Sequence, residues 1–161
     1  MESKAKLFGH PIHQMLVVFP FGLLVMAILF DVMFLATGNS TWSDIAYGMI
    51  AAGVLSGLVA APFGFIDWLG IPSGTRAKRI GLVHGAANAI MLLLYGMSWA
   101  QRGANPREPQ TIAFVFAFAG CAVALFAGWL GGELVDRLAV GVDDGANLNA
   151  PNSLTTPHVR E

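Results

Sequence analysis

Seven side chains of this chain could do chemistry in an apolar setting: His10, His13, Asp31, Asp67, His84, Asn88 and Glu133. His10 and His13 stand three apart in Gly9-His10-Pro11-Ile12-His13-Gln14, at the entrance to a long apolar run. Residues three apart on a helix lie on roughly the same face. Three chemistries suit such a set. The first is b-type haem: histidines on helices of a bundle can hold iron from both sides. His84 is then the best single ligand, His13 or His10 stands opposite, and Asn88 and Glu133 lie alongside. The second is a divalent metal held by His13, His84, Asp67 and Glu133. The Glu-x-x-His pairs typical of di-iron bundles are absent from the sequence. The third is a proton relay through Asp31, Tyr95, His84 and Glu133, although the middles of the other apolar segments offer nothing to continue it. No nucleophile–base pair is recognisable, so no residue is assigned a catalytic role. Each group also has a structural reading. His13 can bond a carbonyl, Asp67 can sit at the headgroups beside Trp68, Glu133 can pair with Arg137 four residues on, and Asn88 can join two helices.

The elements that must position these groups are membrane helices. The 161 residues are 55% hydrophobic and 12% charged, with mean hydropathy +0.63 and net charge -1. Soluble domains carry about 25% charged residues. There is no basic stripe to follow a phosphate backbone, which excludes nucleic acid as a partner. A spanning helix needs about 20 apolar residues. Four segments qualify, at about 13–37, 43–69, 77–100 and 111–139. Lys4 and Lys6 before the first of them suggest a signal peptide. The apolar stretch from Met15 to Ala36 is too long for one, and it reads as a retained helix. The expected fold is all-α, an up-down four-helix bundle spanning residues 1–142, with a polar tail at 143–161 expected to be disordered.

Lys4, Lys6, Arg76, Lys78, Arg79, Arg137 and Arg160 fall on one side of that bundle, and Arg102 and Arg107 on the other. The bias predicts a bacterial inner-membrane protein with both termini in the cytoplasm. At about 1.5 Å per residue, His13, Asp67, His84 and Glu133 all lie in the inner third of the membrane. Asp31 stands eighteen residues after His13, five helical turns, on the same face near the outer end, with Tyr95 as its expected partner. Small residues recur every fourth position at Gly48, Ala52, Ser56, Ala60 and Gly64, and at Gly120, Ala124, Gly128 and Gly132. They predict close helix seams, within the bundle or with a partner subunit or second copy. Pro20 and Pro62 predict kinks. The single Cys121 reads as a buried apolar side chain.

Four ordered motifs resemble an uncharacterised bacterial family of four-helix membrane proteins: His10-Pro11-Ile12-His13 with Phe19-Pro20, Gly64-Phe65-Ile66-Asp67-Trp68, His84 with Asn88, and Gly128-Trp129-Leu130-Gly131-Gly132-Glu133 closed by Val140-Gly141-Val142. The resemblance spans about residues 9–142. Some relatives carry a fused Rieske iron–sulfur domain. That implies electron transfer with an iron–sulfur or other redox partner, and it ranks haem above metal. Here Gln14 replaces a usual proline, Val18 replaces a histidine of many relatives, and Asp136 and Leu138 replace a tyrosine and a histidine. The contrasting expectation is a non-enzymatic module whose polar groups are structural and whose small-residue stripes bind a partner subunit.

Overall fold

The computed structural model describes residues 1–155. Two-residue strands β1 (Lys6–Leu7) and β2 (His10–Pro11) pair antiparallel, with Lys6 opposite Pro11 and Leu7 opposite His10. The tight turn between them holds both Phe8 and Gly9 at positive φ. Helices α1 (Ile12–Leu16), α2 (Val18–Thr37), α3 (Ser40–Gly70), α4 (Arg76–Arg102) and α5 (Thr111–Gly132) follow, and a π-helical turn over Glu133–Arg137 prolongs the last. Taken with these extensions, four helices are long and apolar enough to cross a membrane: Ile12–Thr37, Ser40–Gly70, Arg76–Arg102 and Thr111–Arg137.

Local chemistry sets the boundaries. Gly38 takes a left-handed conformation after α2, and its N–H reaches the Phe34 carbonyl at 2.8 Å. Asn39 then caps α3, its side chain accepting from the Thr41 N–H at 3.0 Å. A left-handed residue followed by an Asn cap is an economical way to turn a chain between antiparallel helices. Thr75 caps α4 in the same way through the Lys78 N–H. Pro20 sits in the first turn of α2, and the chain breaks between α1 and α2 at Val17, ahead of the expected kink. α3 runs unbroken through Pro62.

The helices pack as two hairpins, α2 on α3 and α4 on α5, with α3 against α4 and α2 against α5 closing the bundle. Leu24, Ile50, Met91, Tyr95 and Ala117 lie in the core. The outward surface carries large exposed apolar side chains such as Leu58, Leu93 and Leu125, as expected of helices whose solvent is lipid. The seams depend on glycine. A Cβ at Gly53 would stand 2.6 Å from Leu24, and one at Gly120 would stand 2.9 Å from Tyr95. The stripes of small residues are only partly spent inside the bundle: Ala60, Gly120 and Ala124 are buried, whereas Gly48, Ala52, Gly128 and Gly132 are exposed.

At the end carrying the N-terminus, the first residues form a strap across the bundle. The terminal ammonium donates to the Ala139 carbonyl at 2.9 Å. Lys6 bonds Glu2 at 2.7 Å and Asp143 at 3.4 Å. The hydrogen bond with Glu2, then those with Asp143, hold the Lys6 ammonium above its ordinary pKa. Asp143 is held below the usual carboxylate range, first by the neighbouring Glu2 carboxyl and then by Lys6. Residues 143–155 form turns that lie against this strap, with Ser153 beside Gly9. The remainder of the expected tail, including Arg160, lies outside the described residues.

Candidate functional site

His13 belongs to α1 and His84 to α4, two helices that run in the same direction. His13 Nδ1 lies 3.0 Å from the Ala60 carbonyl of α3, and His84 Nδ1 lies 2.9 Å from the Ala127 carbonyl of α5. A carbonyl can only accept, so each Nδ1 carries the proton. Each ring packs over a glycine one turn beyond its carbonyl. A Cβ at Gly64 would stand 2.6 Å from His13 Cε1, and a Cβ at Gly131 would stand 3.3 Å from His84 Cε1. Glycine at those two positions is what lets an imidazole lie flat on the neighbouring backbone. Asn88, one turn along α4, donates to the His84 carbonyl at 2.8 Å and to His84 Nε2 at 3.2 Å. His84 Nε2 therefore accepts, and the ring is neutral.

The other members of the expected cluster have partners of their own. Asp67 is 9% exposed and serves the strap: it accepts from Ser3 Oγ at 2.7 Å, from the Lys4 N–H at 2.7 Å and from the Ala5 N–H at 3.3 Å. A carboxylate that accepts from three donors is an anchor, and here all three bonds fall on Oδ1, which is directed at the N-terminal backbone. Glu133 bonds Arg76 at the start of α4 at 2.7 Å, across the helix pair, in place of the expected Arg137. His10 lies on β2 outside the bundle, with Nε2 3.2 Å from Ser153 Oγ. Among the described residues no three His, Cys, Asp or Glu side chains gather as a metal would need. Of the set His13, His84, Asp67 and Glu133, each imidazole thus bonds its own helix carbonyl, Asp67 serves the strap and Glu133 pairs with Arg76.

The opposite end holds the most deeply buried charges. Asp31 and Arg102 are both 0% exposed. The guanidinium donates from Nη1 to Oδ1 at 2.8 Å and from Nη2 to Oδ2 at 2.6 Å. Its Nε donates to Ser98 Oγ at 3.2 Å, and Ser98 donates onward to the Ala113 carbonyl at 2.7 Å. The Phe114 ring stacks beneath the guanidinium, 5.0 Å away. Asp31 thus takes Arg102 as its partner, and Tyr95 donates to the Leu24 carbonyl at 3.1 Å instead. The sequence reads Arg102 as a charge on the outer side of the bundle, whereas the structure folds it into the interior. Its partner identifies it: a lone buried aspartate in a membrane helix demands a cation.

Two grooves lie at the end carrying the N-terminus. One of about 440 Å³ is lined by Met1, Ser3, Lys4, Gly70, Pro72 and Asp144, and one of about 230 Å³ by Trp129, Gly132, Glu133, Asp136 and Arg137. Neither reaches the imidazole pair.

A family model described as "Predicted membrane protein (DUF2231)" matches residues 9–144. No curated protein and no solved structure matches the chain.

Proposed function

We propose, for a chain that belongs to the DUF2231 family of predicted membrane proteins, that His13 and His84 would hold b-type haem and that the protein is a multi-pass electron-transfer subunit. The observation that carries this reading is the matched state of the two imidazoles, each giving its Nδ1 proton to a helix carbonyl. A neutral imidazole fixed through one nitrogen presents the other as a lone pair, which is the form that ligates metal. Haem would supply a one-electron couple whose potential the ligands and pocket set.

The chain's own residues have definite parts in this reading. The Ala60 and Ala127 carbonyls hold the ring planes and raise the basicity of Nε2. Gly64 and Gly131 leave the rings room to lie against the backbone. Asn88 gives up its longer contact, with Nε2, and keeps the 2.8 Å bond to the His84 carbonyl. His10 plays no part, being held at Ser153. The redox partner is an iron–sulfur or similar protein docking at the end that carries the N-terminus, on the cytoplasmic side of a bacterial inner membrane. The spectrum of detergent-purified protein, made with ample haem and then reduced with dithionite, tests the reading; His13→Ala and His84→Ala should each abolish any bis-histidine signature.

One observation favours a second reading. Among the described residues every buried side-chain nitrogen and oxygen already has a hydrogen-bond partner. A fully satisfied interior suits a non-enzymatic membrane module, whose polar groups fix helix register. Under that reading His84→Ala lowers the melting point equally whether or not haem is supplied.

A further inference from the structure

His84 and Arg102 stand eighteen residues apart, the same spacing as His13 and Asp31. Adding 71 to a residue number in α1–α2 carries it onto α4, and adding 67 to one in α3 carries it onto α5. Under those two shifts the contacts of the first hairpin become the contacts of the second. The His13 bond to Ala60 becomes the His84 bond to Ala127. The His13 ring over Gly64 becomes the His84 ring over Gly131, and Leu24 over Gly53 becomes Tyr95 over Gly120. Burial follows: positions 20, 24, 27 and 31 are buried, as are 91, 95, 98 and 102, and the buried α3 positions 46, 50, 53, 57 and 60 match 113, 117, 120, 124 and 127. Equivalent positions also meet one another. Asp31 bonds Arg102 and the Leu24 carbonyl bonds Tyr95, both separations being 71. Positions that are equivalent and in contact lie on the axis relating the two halves.

We propose that the chain is two copies of one helical hairpin related by a two-fold axis along the bundle, and that the Asp31–Arg102 pair makes the first hairpin choose the second rather than another copy of itself. Parallel repeats about an axis normal to the membrane are a known way to build membrane proteins. On such an axis, two identical hairpins bring like to like. Two first hairpins would face aspartate to aspartate, and two second hairpins arginine to arginine, at positions with no exposure to water. Unlike charges at that one position penalise both wrong pairings and reward the right one.

The repeat makes a demand that an ordinary ion pair does not. Arg102 is supported by Ser98, one turn before it, and the equivalent of Ser98 is Ala27. The test is thermal unfolding and size of the full chain in detergent. Asp31→Arg and Arg102→Asp alone should each lose the well-folded bundle. The exchange D31R/R102D should recover part of the loss. Adding A27S/S98A, which moves the serine with the arginine, should recover most of the rest. L24Y/Y95L tests the axis without touching charge, and should melt above L24Y alone, since the moved ring still finds a glycine, Gly53, and a carbonyl across the axis. A fourfold exchange no more stable than the double, or an L24Y/Y95L pair no more stable than L24Y, would overturn the proposal.

Discussion

Removing one partner of the Asp31–Arg102 pair should be the most damaging polar substitution in this protein. Both side chains are fully buried, and two short bonds join them. In Asp31→Asn the shape is kept, but the guanidinium loses its counter-charge while Ser98 and Phe114 still hold it in place. Breaking a buried pair by removing one member costs about 3–5 kcal/mol, because a charge is left without compensation. Replacing both members by apolar residues of similar volume, as in D31L/R102M, should be nearly neutral or stabilising by about 1–4 kcal/mol. The contrast between single and double variants separates the cost of an orphaned charge from the value of the pair. Equilibrium unfolding in mixed micelles, read by tryptophan fluorescence, measures both. A single variant that costs no more than a surface change, below about 0.5 kcal/mol, would refute the buried geometry.

Four other outcomes follow from the contacts. Gly64→Ala should cost more than Gly131→Ala, since its Cβ would stand 2.6 Å from His13 and the other 3.3 Å from His84; overpacking of this kind costs about 1–3 kcal/mol, and chemical denaturation ranks the two. Asp67→Ala should free the N-terminal strap, raising amide exchange at Lys4 and Ala5, whose N–H groups it accepts, while the helices keep their protection. His84→Ala removes the bond to Ala127 and the Asn88 contact; at about 0.5–1.5 kcal/mol net per hydrogen bond, it should lower the unfolding free energy measurably without loss of helix by circular dichroism. The clasp of Glu2, Lys6 and Asp143 should open at both extremes of pH. Asp143 is held low, so its contribution is present above the ordinary carboxylate pKa and is lost as pH falls through its lowered value; Lys6 is held high, so its contribution is present below the ordinary lysine pKa and is lost as pH rises through its raised value. Protection of the strap amides, taken relative to the exchange of an unstructured chain at the same pH, should be greatest between those limits, and protection that did not change with pH would contradict the clasp.

The sequence carried most of the fold, because lipid leaves few options for a spanning chain. Expected helices at 13–37, 43–69, 77–100 and 111–139 match the observed spans to within three residues at every end, and coincide with them at Thr37 and Thr111. Those differences arise where side chains cap, as at Asn39, or where a charge folds inward, as at Arg102. The site was less legible. Equal depth suggests one layer for His13, Asp67, His84 and Glu133, but depth says nothing about partners. Asp67 was taken up by backbone N–H groups of residues 4 and 5, which no spacing rule signals. Glu133 reached Arg76 across the helix pair, when the neighbour four residues on seemed the nearer choice. The eighteen-residue interval shared by His13–Asp31 and His84–Arg102 was visible in the sequence. Its meaning emerges only once both hairpins are seen to make the same contacts.

The most direct test of the proposed function is the visible spectrum of the detergent-purified protein, oxidised and then reduced, after expression with ample haem. The account predicts a Soret band that sharpens with distinct α and β bands on reduction, and its loss in both His13→Ala and His84→Ala while His10→Ala retains it. A flat visible spectrum from folded, haem-supplied protein would contradict it and leave the two imidazoles as clips that fix the register of their hairpins.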